Sequence, residues 1–434
     1  VPEVDTVLML RPTQSATVFL QQLGRGLRRA AGKALLTVLD FVGHQHEKFR
    51  FDIPLRAMTG VPRGRILHAV ENGFPQMPGG SQIVLDRVAE ERVIDSIKSQ
   101  LSLTTKALVS DVRQNIPDGT NALEYRLSDY LAESGRGLPD IYKPATRRMS
   151  GLELPATWSA VRHLAFGSHS DSAIESELAA QIMRRVSALT HVDDVERALE
   201  YRRIISSEAP SDELVTSPYA AMLYYAFWPK GDGGSVAEGL DEIRSNQVLC
   251  QELDQLLTVT SSLHRLTPRR LESGLEDIPL RTHARYSREE LLSALGMGVN
   301  EKPQPGNFRE GVKWFKEHKT DALLITLRKS DADFSPSTRY RDYALTPQLF
   351  HWESQSGTSI ESPTGQRYIR HRDYGTNVLL FVRHAKVGDL GTEPYTCLGT
   401  AKYVSHEGSR PIQVVWELDR PMPTDLFLAA KAVA

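Results

Sequence analysis

Apolar and polar positions change their period twice along this chain. The first fifty residues read as strand, helix, strand. An apolar run from Thr6 to Leu10 precedes a helix that Ser15 is placed to cap, and a second run from Ala34 to Val38 ends at Asp40-Phe41. From about 51 to 280 the period is helical. Ile174, Leu178, Ile182, Val186 and Leu189 fall at steps of three and four, which predicts one amphipathic helix over 170–199. Leu249, Leu253, Leu256, Leu257 and Leu263 predict another over 247–266, and the Gly- and Pro-rich residues 73–80 predict a loop. After a capped helix spanning Tyr286 to Leu292, the texture turns β-rich at 323–327, 366–369, 377–383, 395–404 and 412–418. Short strands at this spacing, with Gly375, Gly388, Gly391 and Gly408 between them, predict a mostly antiparallel barrel or curled sheet. The expectation is a multidomain chain: an α/β piece at 1–50, a helical coupler at 51–280 and a mostly-β domain at 281–434 that folds alone.

Composition narrows the class without choosing a function. The hydrophobic fraction is 40 % and the charged fraction 24 %, ordinary for globular chains. At 434 residues the chain exceeds one core and implies about two to four units. No apolar run approaches the roughly 18 residues that cross a bilayer. Neither a membrane partner nor a secretory signal is expected. Cys250 and Cys397 form no disulfide framework or zinc spacing, so a cytoplasmic setting is expected. The formal net charge is −2, so nucleic-acid binding would need a local basic face.

The first chemical signal is Gln21-Gln22-Leu23-Gly24-Arg25-Gly26-Leu27-Arg28. Two arginines three apart on a helix project to one side, and a planar guanidinium suits a γ-phosphate. This Q-x-x-G-R-x-x-R run, on the helix of a strand–helix–strand unit, resembles motif VI in the second RecA-like lobe of superfamily 2 helicases. Val1 to Asp5 and Leu10 to Thr13 resemble the tail of motif V and the segment after it. The resemblance implies that Gln21, Gly24, Arg25 and Arg28 face the nucleotide, with Arg25 and Arg28 as catalytic arginine fingers. No G-x-x-x-x-G-K-[ST] loop occurs in the chain. The expectation is therefore a C-terminal fragment of a longer translocase, inactive alone. It would bind ATP and Mg2+ only together with an upstream lobe.

The second signal lies in 334–368, where six aromatics and many amides and hydroxyls accompany few aliphatics. Such a mix can line a pocket for a flipped base. Tyr343, Phe350 and Trp352 would stack on it, and Asp342, His351, Ser354 and Gln355 would read its edge. Arg367 and Arg370, with Arg339, Arg341 and Arg372, would take phosphates. The same residues also fit a plainer reading. Phe350, Trp352 and Tyr368 would fill a core while Ser354 and Gln355 bond loop backbone.

Residues from about 283 onward are similar to the C-terminal domain of SauUSI-type modification-dependent restriction enzymes. The likeness rests on Phe350-His351-Trp352-x-Ser354-Gln355, Ser362-Pro363-Thr364-Gly365-Gln366-Arg367-Tyr368 and Val378 to Arg383. Tyr395 to Gly399 and Pro411 to Trp416 belong to the same pattern. The resemblance implies an SRA/PUA-like barrel that recognises 5-methylcytosine or its hydroxymethyl form by base flipping, in phage defence. The partner would be methylated double-stranded DNA, and a homodimer is open for the intact protein. The alternative is a repair or remodelling helicase whose barrel binds unmodified nucleic acid or a protein.

No nuclease centre is expected. His384-Ala385-Lys386 and His46-Glu47-Lys48 miss the Asp that completes H-x-K-x-x-x-x-D, meeting Gly391 and Ile53 there. No metal site is expected either, and the charge run Asp193-Asp194-Val195-Glu196 reads as a solvated helix face.

Overall fold

The computed structural model describes residues 4–10, 16–26, 33, 35–40, 51–59, 61, 66–67, 69–70, 74, 82–86, 89–94, 97, 104–117, 119–122, 124–134, 136–143, 146–149, 151–167, 172–206, 212–262, 267–299, 303–328, 342–388 and 390–431. They fall in two compact units, one of 1–118 with 129–140 and one of 119–128 with 141–434.

In the first unit, strands Thr6–Met9 and Thr37–Asp40 pair in parallel, with Thr6 opposite Thr37 and Met9 opposite Asp40. Parallel neighbours need a crossover, here containing the helix Ala16–Gly26. The strand–helix–strand order anticipated from the apolar runs is present; Ser15, its expected cap, lies outside the described residues. The unit's other described elements are helices, Asp52–Thr59 and Thr105–Asn115 among them. Leu55, Ile66, Val70, Phe74, Val93 and Ile97 share one cluster. Phe74 is thus buried in the segment read as a loop, whose other residues are outside the described set. On the helix Thr105–Asn115, Asp111 accepts from the Tyr130 hydroxyl and the Arg136 Nε, both at 2.6 Å.

The second unit joins a helical layer to a sheet. The helix Pro218–Phe227 is buried at every residue from Ala220 to Phe227, as its all-round apolar sequence requires. Ser217 caps it and Pro218 opens it, where a missing N–H costs nothing. It packs on the helix Arg288–Ala294, which begins in a capping box between Ser287 and Glu290. The helix Gln247–Ser262 follows its predicted leucine stripe. The predicted helix over 170–199 is instead three pieces: Ser172–Ala179, a 3-10 helix Gln181–Leu189, and the start of Val195–Ser206. Ile182, Val186 and Leu189 are buried as expected. Continuity fails because Ala180 is extended and because Asp194 Oδ1 accepts from the Arg197 amide at 2.8 Å, starting a new helix.

We label the main sheet's strands β1 Arg285–Tyr286, β2 Val312–Phe315, β3 Thr320–Thr326, β4 Tyr343–Ala344, β5 Leu349–Glu353, β6 Asn377–Arg383, β7 Tyr395–Glu407 and β8 Gln413–Leu418. Their order is β4-β5-β8-β7-β6-β3-β2, with β1 beside the start of β7. Only β3 and β6 are parallel, in register from Thr320 opposite Asn377 to Thr326 opposite Arg383. Every residue of β3 is buried, as a strand covered on both faces requires. The end strands β2 and β4 do not pair with each other among the described residues, so the sheet is open where a barrel was expected. A second correction concerns 366–369, which belongs to the helix Pro363–Ile369 and not to a strand. Ser362 Oγ accepts from the Gly365 amide at 3.0 Å and starts it.

The second compact unit contains residues on both sides of 281.

Candidate functional site

On the helix Ala16–Gly26, Gln21 and Gly24 are exposed and face solvent. Arg25 is in its last turn, with its side chain outside the described set, and Arg28 is outside altogether. Around the motif, Leu8, Leu10, Leu35 and Leu39 are also exposed, while Met9 and Phe19 are buried.

The predicted pocket residues separate into core and surface. Phe350 and Trp352 lie in the hydrophobic core with Tyr368 and Trp416. The Trp352 ring meets Tyr368 edge-on at 5.3 Å. Their assignment as stacking faces is therefore corrected: both rings are enclosed by the sheet and its neighbours. Both point inward because β5 packs its middle three residues away from solvent. Ser354 follows the plainer reading. Its hydroxyl accepts from the Ile412 amide at 2.9 Å and its own amide donates to the Ile412 carbonyl at 2.9 Å. Asp342 is buried and accepts from the Glu353 amide at 3.1 Å.

Arg367 is likewise reassigned from phosphate contact to structure. Its Nε and Nη2 grip the two oxygens of Asp321 at 2.6 and 2.9 Å, and its guanidinium lies 4.2 Å from the Trp314 ring centroid. Asp321 has no solvent exposure. Burial raises its pKa and Arg367 opposes that rise. Arg370 is exposed and pairs with Asp373 at 2.9 Å. Tyr343 is half-buried and stacks on His351 at 4.5 Å and 17° as its direct cross-strand partner. Gln355 is exposed. Of the predicted set, Tyr343, Gln355, Arg370 and Arg372 remain accessible. Arg339 and Arg341 lie outside the described residues.

A buried ionic joint went unread in the sequence. Glu290 Oε1 accepts from Tyr201 Oη at 2.8 Å and from Arg197 Nη1 at 3.2 Å. Its Oε2 meets His191 Nε2 at 2.5 Å and accepts from the Ser287 amide at 2.9 Å. Arg197 also pairs with Asp194 at 2.9 Å, donates to the Arg285 carbonyl, and lies 4.1 Å from the Tyr286 ring centroid. Burial alone would raise the Glu290 pKa, but His191 and Arg197 hold it well below the usual carboxylate range. The run 193–196, read as a solvated face, is thus part of the joint. Asp193 pairs with Arg285 and Glu196 with Arg281. The available signal was Asp194 three residues before Arg197, an N-cap inside an apparent helix.

Among the described residues, no group of three or more His, Cys, Asp or Glu is placed to hold a metal ion. No described helix is long and apolar enough to cross a membrane.

A family model for a domain of unknown function, DUF3427, matches residues 280–430, which is the sheet with its leading helix. None of the curated proteins matches the chain.

Proposed function

We propose that this chain is part of an ATP-driven DNA translocase of the modification-dependent restriction type. Its β-rich region reads modified cytosine in duplex DNA, and its helices couple that event to the motor. The observation that carries the reading is the parallel strand pair whose crossover helix carries Gln21 to Gly26, the first six residues of the Q-x-x-G-R-x-x-R run. The exposure of Gln21 and Gly24 leaves that helix face open to a nucleotide. ATP and Mg2+ would be held with a phosphate loop and acidic ligands from a further RecA-like lobe. The Glu290 joint supports the coupling role, because it ties the helix Val195–Ser206 to the helix leading into the sheet.

An SRA/PUA-like relationship of the sheet belongs to this proposal. On the DNA side, Tyr343 supplies the accessible aromatic face, with Gln355 and Arg370 as accessible polar groups. The test is a titration with matched duplexes carrying 5-methylcytosine, 5-hydroxymethylcytosine or plain cytosine. A modified duplex should bind more tightly, and Tyr343→Ala should weaken that binding by about 1–3 kcal/mol. Equal affinity for all three duplexes would refute recognition of the modification. For the motor, Arg28→Ala in a protein carrying both lobes should slow DNA-stimulated ATP hydrolysis on the order of a thousandfold. Unchanged turnover would remove the motif assignment.

A further inference from the structure

Away from those residues, three basic residues are brought together where the segment after the last long helix approaches the end of β8. Arg269 is in a short antiparallel pair, directly opposite Thr282. The next residue, His283, has φ +72°, a left-handed backbone that residues other than glycine rarely adopt. Its amide is fixed to the Cys397 carbonyl at 2.6 Å. Arg420, just after β8, donates from Nη1 to the Thr267 carbonyl at 3.0 Å, two residues before Arg269. One stretch of backbone therefore gathers Arg420, Arg269 and His283.

The charges at this place lack a counterpart. Arg270 and Arg281, on the same strand pair, both reach Glu196, at 3.6 and 2.7 Å. Neither Arg269 nor Arg420 has an ion-pair partner among the described residues. The His283 ring is 6 % exposed, yet neither of its nitrogens has a hydrogen bond of good geometry. Burial, then the charge of Arg420, holds its pKa down to about 4, against the Pro421 carbonyl and, more weakly, Asp425; Arg269 adds to the lowering. Arg420 is itself lowered, by burial and by Arg269. A buried ring with no well-formed hydrogen bond, beside two mutually repelling guanidiniums, is costly as it stands. An oxyanion would relieve both guanidiniums at once, and would take the single imidazole N–H in the tautomer that turns it away from the Pro421 carbonyl.

We propose that Arg269, Arg420 and His283 form a binding site for a phosphate group, either a free phosphate or a phosphodiester of a nucleic-acid backbone. This does not depend on the reading of the sheet as a modified-base reader.

The test titrates inorganic phosphate into the chain, followed by calorimetry and by unfolding temperature. Sodium chloride at matched ionic strength is the control. Phosphate should bind saturably, about tenfold or more weakly in an Arg269→Ser/Arg420→Ser variant, and more tightly in Asp425→Asn. An unchanged unfolding temperature of the double variant in chloride checks its fold. Identical phosphate binding by wild type and double variant, or no saturable binding by wild type, overturns the site. A short plain duplex separates the two sources. Competition with phosphate assigns the site to the backbone, and phosphate binding without competition assigns it to the free anion.

Discussion

The strand pair Thr6–Met9 and Thr37–Asp40 and the pair β3 and β6 share one geometry, parallel and in continuous register. They differ in what covers them. Leu8 and Leu39 are 55 % and 46 % exposed, whereas Leu323 and Leu380 are 0 % exposed. In the sheet, β2 and β7 flank the parallel pair and a core of Phe350, Trp352, Tyr368 and Trp416 fills one side. At the N-terminal pair, Met9 and Phe19 are the enclosed apolar side chains among the described residues. Local sequence is enough to set a strand–crossover–strand unit. Covering both of its faces, the usual condition of parallel sheets, takes neighbours that are distant in sequence.

The comparison can be broken most forcefully at the ionic joint. Arg197→Ala leaves Glu290 buried without its guanidinium partner, and such breaks cost about 3–5 kcal/mol. All five tryptophans, Trp158, Trp228, Trp314, Trp352 and Trp416, belong to the second unit, so their fluorescence reports its unfolding alone. The denaturation midpoint by fluorescence should fall sharply. A shift worth less than about 1 kcal/mol would mean that the helical layer and the sheet are not energetically joined there.

A direct contrast comes next. Leu323→Ala should destabilise the second unit by about 2–5 kcal/mol, whereas Leu39→Ala should change the first by no more than about 0.5 kcal/mol. Fluorescence reads the former and amide exchange of residues 37–40 the latter. Equal costs would mean that the N-terminal leucines are as well covered as those of the sheet.

Acid sharpens the picture with a smaller effect. The depressed Glu290 carboxyl contributes stability fully above its unfolded pKa of about 4.3, and that contribution is lost as pH falls. His283, held down to about 4, contributes above about 6.5 and loses that contribution as pH drops toward 4. The fluorescence midpoint should therefore decline from about pH 6.5 downward and more steeply below about 4.3. In Glu290→Gln the steep part should flatten; an identical profile would show that this carboxylate is not the titrating group. Smallest of all, Arg370→Ala removes an exposed pair with Asp373 and should cost less than about 1 kcal/mol, unlike any loss at Arg367.

How much was legible depended on whether a signal was local. The strand runs at 323–327, 377–383, 395–404 and 412–418, the leucine stripe of 247–262 and the Ser287 cap all carry their cause within a few residues. The 366–369 run resembles a strand by its Tyr368-Ile369 end, but Ser362 and Pro363 just before it start a helix. Phe350 and Trp352 looked like pocket residues because their neighbours are polar. What encloses them is Tyr368 and Trp416, which no local window contains. Arg367 looked like a phosphate ligand because Asp321, its partner, stands 46 residues earlier.

The sequence by itself determined the long strand runs of the sheet, the strand–helix–strand order of the first forty residues, and many of the apolar positions that face inward. These follow from periodicity, caps and backbone preferences, whose range is one or two turns. Tertiary structure decided which charges became buried pairs, which aromatics became core, and whether the sheet closed. Those outcomes turn on the low dielectric and close packing created only when distant segments meet. There an arginine near a buried carboxylate is held as its counterion, and a ring against two others is removed from solvent.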